Sequence, residues 1–161
     1  MGDGVARAVR GVKGAGALVA EMGSIRYIDH TADAGVEITA VSREVLFVLG
    51  ARALYQLALD YDAVEAEVKR RLELAAPDLA ELFHEWLAEL LYLLDAQELA
   101  FKKFSFDFRD GDTKLAVTLW GEELDFDRHK PHGEIKNVTY GDFAVEQKDD
   151  GTYLARVIFD L

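Results

Sequence analysis

The sequence predicts an α+β fold: a single domain in which two helices pack on one face of a mainly antiparallel or mixed sheet. Three observations lead there. The chain has 161 residues, 50% of them apolar, enough for one core and short for two. Two stretches carry apolar residues at helical spacing, and about seven others alternate apolar and polar residues at the period of a strand. Asp110-Gly111 and Asp150-Gly151 mark tight turns between neighbouring alternating runs, as antiparallel hairpins require.

Residues 1–21 differ from the rest. They are rich in Gly, Ala and Val, and Ala17-Leu18-Val19-Ala20 is too short an apolar run for a signal peptide. The expectation is a disordered or non-native extension, with Met22 the natural start and residues 22–161 the folded domain. Val36 to Val41 alternates as a strand. Ser42 is placed to cap a helix reaching about Ala58, with Leu46, Leu49, Ala53 and Leu57 on one face. Val64 to Ala76 has helix-favouring Glu, Lys and Ala, yet its apolar residues alternate with charged ones and only Arg70 breaks the apolar side. It is expected to be a strand.

Asp78, with Glu81 three residues on, opens a second helix through about Leu94. Its apolar stripe of Leu79, Leu82, Phe83, Trp86, Leu90 and Leu93 should lie against the sheet. Phe104, Phe106 and Phe108 form one face of a strand, and Leu115, Val117 and Leu119 return from the Asp110-Gly111 turn as a core face rather than a ligand cavity. After a polar loop, Glu134 to Tyr140 is expected to be a strand. Phe143 to Gln147 should pair with Tyr153 to Phe159 across Asp149-Asp150-Gly151.

Several function classes are excluded or disfavoured. Cysteine is absent, which removes disulfides, thiolate metal sites and Cys nucleophiles. No apolar run approaches the roughly 20 residues a bilayer span needs, so no membrane contact and a cytoplasmic location are expected. The net charge of −12 argues against strong direct nucleic-acid binding and permits a basic protein partner or cations. No glycine loop sits between a strand and a helix to cradle phosphate, and Ser24, Ser42 and Ser105 lie in no nucleophile elbow. The sequence does not advertise an enzyme.

Chemistry is concentrated at three places. The chain closes on Asp160 and Leu161 directly after a strand, which sets an aspartate beside the α-carboxylate of Leu161. Adjacent carboxylates repel, and a hard cation relieves the repulsion. A further carboxylate is available in Asp29-His30-Thr31-Ala32-Asp33, so the two regions are expected to meet and hold a metal. That polar stretch also suits a turn bonded only to its own backbone; the ligand reading uses Asp33, oriented by His30 or Thr31. The third place is Asp125 to Lys136, where His129 and His132 have zinc-like spacing without a third convincing ligand. An exposed loop is the simpler reading, and pairing with a phosphate or a partner comes next.

These blocks, in order, carry a resemblance. Asp29-His30-Thr31-Ala32-Asp33-Ala34-Gly35, Trp86-Leu87-Ala88-Glu89-Leu90-Leu91-Tyr92-Leu93, Gly121-Glu122, Glu134-Ile135-Lys136-Asn137-Val138-Thr139-Tyr140 and the closing Val157-Ile158-Phe159-Asp160-Leu161 closely resemble the archease family from about Arg26 onward. The resemblance implies a non-enzymatic protein cofactor of tRNA splicing. It would activate the GTP-dependent, metal-requiring RNA ligase that joins tRNA halves, promoting guanylylation and repeated turnover. The alternative it implies is a chaperone-like modulator of a tRNA cytosine methyltransferase. Family members bind a divalent cation, often calcium, with Mg2+ or Mn2+ as alternatives; the matching ligands are Asp33, Asp160 and Leu161. Asp29, His30, Thr31, His129, Glu134 and Lys136 are candidates for supporting that tip or touching the partner. The sequence departs from the family in its N-terminal extension, in Gly141 where a His is common, and in Leu161 where Ile is frequent.

Overall fold

A computed structural model describes residues 22–29 and 33–161, with the backbone alone at Asp29; residues 1–21, including the expected extension, and residues 30–32 lie outside the described residues. Strands β1 (Gly23–Asp29) and β2 (Asp33–Ala40) are followed by helix α1 (Arg43–Ala58) and a 3-10 turn (Tyr61–Ala63). Next come β3 (Val68–Ala75), α2 (Leu79–Gln97), β4 (Leu99–Arg109), β5 (Lys114–Glu123) and a short helix α3 (Phe126–His129). The strands β6 (Asn137–Val138), β7 (Ala144–Gln147) and β8 (Tyr153–Asp160) complete the order.

The α+β class holds, but the strands form two sheets rather than one, and every pairing among the described residues is antiparallel. A five-stranded sheet has the order β1-β2-β8-β6, with β7 also on β8; a three-stranded sheet has the order β3-β5-β4. Alternation assigns each strand an inner face but names no neighbour, which is why the sequence suggested one sheet. Both helices touch strands of both sheets, so they are not confined to the face of one. Accordingly α1 is buried on nearly every side, from Glu44 to Tyr55, while α2 keeps one exposed stripe.

The helix starts follow the capping chemistry of the sequence. Ser42 Oγ accepts the Val45 N–H at 3.2 Å, and Asp78 Oδ1 accepts the Glu81 N–H at 2.9 Å. The core forms where the helix layer meets β4. Phe47 lies 5.2 Å from Phe83 and 5.0 Å from Phe108 in edge contacts, and Trp86 packs on Phe104 and Phe106 at 5.5 and 5.4 Å. Trp86 is fully buried, and its indole N–H donates to Phe47 O at 2.9 Å, so its one polar atom is satisfied. The Phe stripe of β4 is therefore a core face.

Three expectations are corrected. The strand expected over 64–76 begins only at Val68, because Tyr61–Ala63 forms a 3-10 turn first. The strand expected over 134–140 shrinks to Asn137–Val138. There the buried residues Ile135 and Val138 are three apart, against the two-residue pleat, and His84 Nε2 takes Val138 O at 2.9 Å. The strand β1 was not anticipated; it lies at the sheet edge and alternates only weakly. No helix among the described residues is long and apolar enough to cross a membrane.

Candidate metal centre

Asp33 opens β2 and Asp160 closes β8, and the antiparallel register sets the two directly opposite one another. On the other side of β8, Asp160 faces Asn137 of β6, and the Lys136 N–H donates to Asp160 O at 2.7 Å. One row across three strands thus reads Asp33, Asp160, Asn137. Side chains directly opposite on a sheet sit about 5 Å apart at Cβ, where like charges destabilise the pair. Both aspartates are half-buried, and the adjoining Leu161 is exposed.

The same sheet treats another carboxylate differently. Glu37 of β2 faces Arg26 of β1 and Arg156 of β8, and its two oxygens receive them at 3.2 and 3.5 Å. Among the described residues, neither Asp33 nor Asp160 has a Lys, Arg or His side chain within ion-pairing distance. An opposed, uncompensated carboxylate pair with backbone oxygens alongside suits a hard cation such as Ca2+, which takes oxygen ligands. No group of three or more His, Cys, Asp or Glu residues is arranged to hold a metal among the described residues. A cation here would therefore draw further ligands from main-chain oxygens at Leu161 or from water.

The remaining sequence candidates separate into distinct places. His30 and Thr31 lie outside the described residues, and the Asp29 backbone is opposite Ala34. Lys136 and Glu134 are exposed beside β8, with the Lys136 backbone bonded to Asp160. Glu134 also acts on α2: partial burial and then the Glu134 charge push the Asp95 carboxyl above its ordinary range.

His129 corrects the exposed-loop reading outright. It is 0% exposed, Nδ1 accepts the Asp125 N–H at 2.8 Å, and Nε2 lies 3.1 Å from Glu122 Oε1. With Nδ1 accepting, the ring N–H belongs to Nε2, which lies close to Glu122 without a hydrogen bond to it. A fully buried ring cannot touch a partner, and its Nδ1 is bonded within the protein, so His129 supports the fold and makes no zinc pair with the exposed His132. The carboxylate of Glu122 also accepts the Glu65 N–H at 2.6 Å and pairs with Arg128.

One residue near the site escaped the sequence reading. His84 of α2 is buried, holds Val138 O through Nε2, and stacks on Tyr140 with ring centres 3.9 Å apart. It clamps the segment that carries Lys136 and Asn137 against α2. A histidine on an otherwise apolar helix face was the available signal.

Comparison with known proteins adds independent information. The family model described as the Archease protein family (MTH1598/TM1083) matches residues 25–161. The chain is 38% identical over 136 residues to a protein archease of Methanopyrus kandleri, covering 83% of this chain and 96% of that one. To the protein archease of Pyrococcus abyssi it is 32% identical over 137 residues, covering 84% and 96%. The solution structure of protein 1598 from Methanobacterium thermoautotrophicum shares 34% identity and superposes with a TM-score of 0.73, covering 85% of this chain and 98% of the other. The crystal structure of a Thermotoga maritima archease, titled a possible chaperone, shares the fold at 20% identity with a TM-score of 0.57, covering 84% and 96%.

Proposed function

The chain belongs to the archease family, and from that premise we propose that it is a non-enzymatic, cytoplasmic activator of the GTP-dependent RNA ligase that joins tRNA halves. The observation that carries the reading is the placement of Asp33 opposite Asp160 with no countercharge from the described residues. Asp33, Asp160 and main-chain oxygens at Leu161 would hold a divalent cation, Ca2+ first and Mg2+ or Mn2+ as alternatives. A cation held there would offset the repulsion between the two carboxylates and tie together the shared end of β2 and β8.

What the chain's own residues do follows from their positions. The ladder from Asp33 to Ala40 against Tyr153 to Asp160 fixes both carboxylates on rigid strands rather than on loops. The His84 clamp and the Lys136 bond to Asp160 O brace the outer side of β8. An RNA ligase centre handles phosphates and metal ions, so its rim is basic. A chain of net charge −12 is steered toward such a rim, and a carboxylate corner docked there favours the ligase state that accepts GTP.

Asp33→Ala and Asp160→Ala test the reading in a ligation assay with purified ligase. Each is expected to abolish activation while circular dichroism stays unchanged, and removal of residues 160–161 should do the same. Full activation by the folded variants would refute it. The second reading, a chaperone-like modulator of a tRNA cytosine methyltransferase, draws on the Thermotoga maritima relative titled a possible chaperone. Pull-downs of ligase and methyltransferase with and without chelator separate the two, because only the first depends on the metal corner.

A further inference from the structure

The −12 charge is not spread evenly over the molecule, and the outer face of the three-stranded sheet opposes it. One side of this sheet lies on the core through Phe104, Phe106, Leu115, Val117 and Leu119. The pleat then turns Lys69 and Arg71 of β3, Lys103 and Arg109 of β4, and Lys114 of β5 to the opposite side. Along the rows from Lys69–Trp120–Lys103 to Ala75–Lys114–Arg109 the carboxylates on that side are Glu73 and Asp107; Asp107 is paired with Arg109, and Lys114 with Asp110 beyond the strand end.

The cations gather around an aromatic ring. Lys69 and Lys103 are the two cross-strand neighbours of Trp120, one on each side. Their ammonium groups lie 5.9 and 4.8 Å from the ring centre, and neither takes part in an ion pair among the described residues. The next row across the sheet sets Arg71, Thr118 and Ser105 side by side, which puts two hydroxyls next to a guanidinium. Trp120 is only partly buried, whereas Trp86 is wholly inside. Nothing in the core requires an indole at position 120.

We propose that this face, centred on Trp120 with Lys69, Lys103 and Arg71, binds a short stretch of single-stranded RNA, one base stacking on the indole and the adjoining phosphates meeting the cations. An aromatic ring on an open sheet flanked by cations matches how sequence-tolerant single strands are held, by stacking plus charge. A base that settles on the indole frees the displaced lysine for the neighbouring phosphate. Thr118 and Ser105 offer hydroxyls to the 2′-OH, which favours RNA over an acidic peptide with neither bases nor ribose. The proposal goes beyond ligase activation and uses none of the residues of the metal corner, so either idea can fail alone.

The experiment uses the full chain and a fluorescein-labelled 12-nucleotide oligouridylate, read by anisotropy. Quenching of the partly buried Trp120, with fully buried Trp86 as internal reference, should accompany binding to the wild-type protein. Trp120→Ala should weaken affinity about 5- to 100-fold, as loss of one base stack does, and Trp120→Phe should restore most of it. Lys69→Gln with Lys103→Gln should weaken binding and flatten a salt dependence whose log–log slope starts at about −2, the value for roughly three phosphates on a single strand. Asp33→Ala should leave binding unchanged. The idea is overturned if no RNA binds, if an RNA duplex of equal length or polyglutamate binds as tightly, if folded Trp120→Ala binds normally, or if light scattering shows that the face joins two copies of the chain.

Discussion

Glu122 is 4% exposed; its two oxygens receive Arg128 and the Glu65 N–H at 2.6 Å, and the His129 ring lies nearby with Nε2 3.1 Å from Oε1. The Arg128 bond foremost, then the Glu65 N–H and the nearby His129, hold its carboxyl below the ordinary glutamate range against the opposing effect of burial. A carboxyl whose pKa is lower folded than unfolded adds stability above its unfolded pKa. That stability fades as pH falls through the folded value, because the unfolded chain takes up the proton first. Glu122→Gln should therefore lower stability at neutral pH and flatten the acid limb of a urea-midpoint-against-pH curve below about pH 4.5. At this scale the sequence was partly legible. Asp160 and one aspartate of the 29–33 block could be named from charge repulsion alone. The choice between Asp29 and Asp33 depends on register, which a single strand does not encode. The burial of His129 was hidden because its loop is polar throughout and its partner Glu122 belongs to another element.

At the scale of elements, the hairpin of β4 and β5 carries a β-bulge between Phe101 and Lys103, opposite Gly121 and Trp120. The extra residue brings the backbones so close that a Cβ at Gly121 would stand 1.9 Å from Ala100 O and 2.6 Å from Phe101 Cα. Both are main-chain atoms of a paired strand and cannot step aside as a side-chain tip would. Gly121→Ala should cost about 1–3 kcal/mol or more, seen as a lower denaturation midpoint, and the register beyond the bulge should suffer first. The capped helices and the β4–β5 and β7–β8 hairpins were legible because their signals are local: a cap side chain, a fixed period, an Asp-Gly turn. The short β6 was not, because its geometry is set by His84 from a distant helix. The split into two sheets was equally out of reach, since it depends on which strand meets which.

Over the whole molecule, charge is segregated. The outer stripe of α2 carries exposed Glu85 and Asp95 with half-buried Glu81 and Glu89, the Asp33–Asp160 corner adds two more carboxylates, and the outer face of the three-stranded sheet is basic. The net charge read from the sequence is their sum and conceals the division. Steering of an acidic domain to a basic rim acts through a field that salt screens within about 8 Å at physiological ionic strength. Ligase activation should thus decline as salt is raised from 50 to 500 mM at fixed metal concentration, mainly through the association rate. Activation indifferent to salt would leave the carboxylate corner without a role in encounter.

The strand β8 follows every other described strand in the chain, yet it lies inside its sheet, with β2 along one edge and β6 and β7 along the other. The three-stranded sheet draws on residues 68–123 alone and can assemble while translation continues. The larger sheet must wait until Tyr153–Asp160 has left the ribosome, so β2 emerges with an open edge that β8 closes. A nascent chain stalled near residue 150 should expose that edge to chaperones and proteases, and release of the next dozen residues should bury it in a single step.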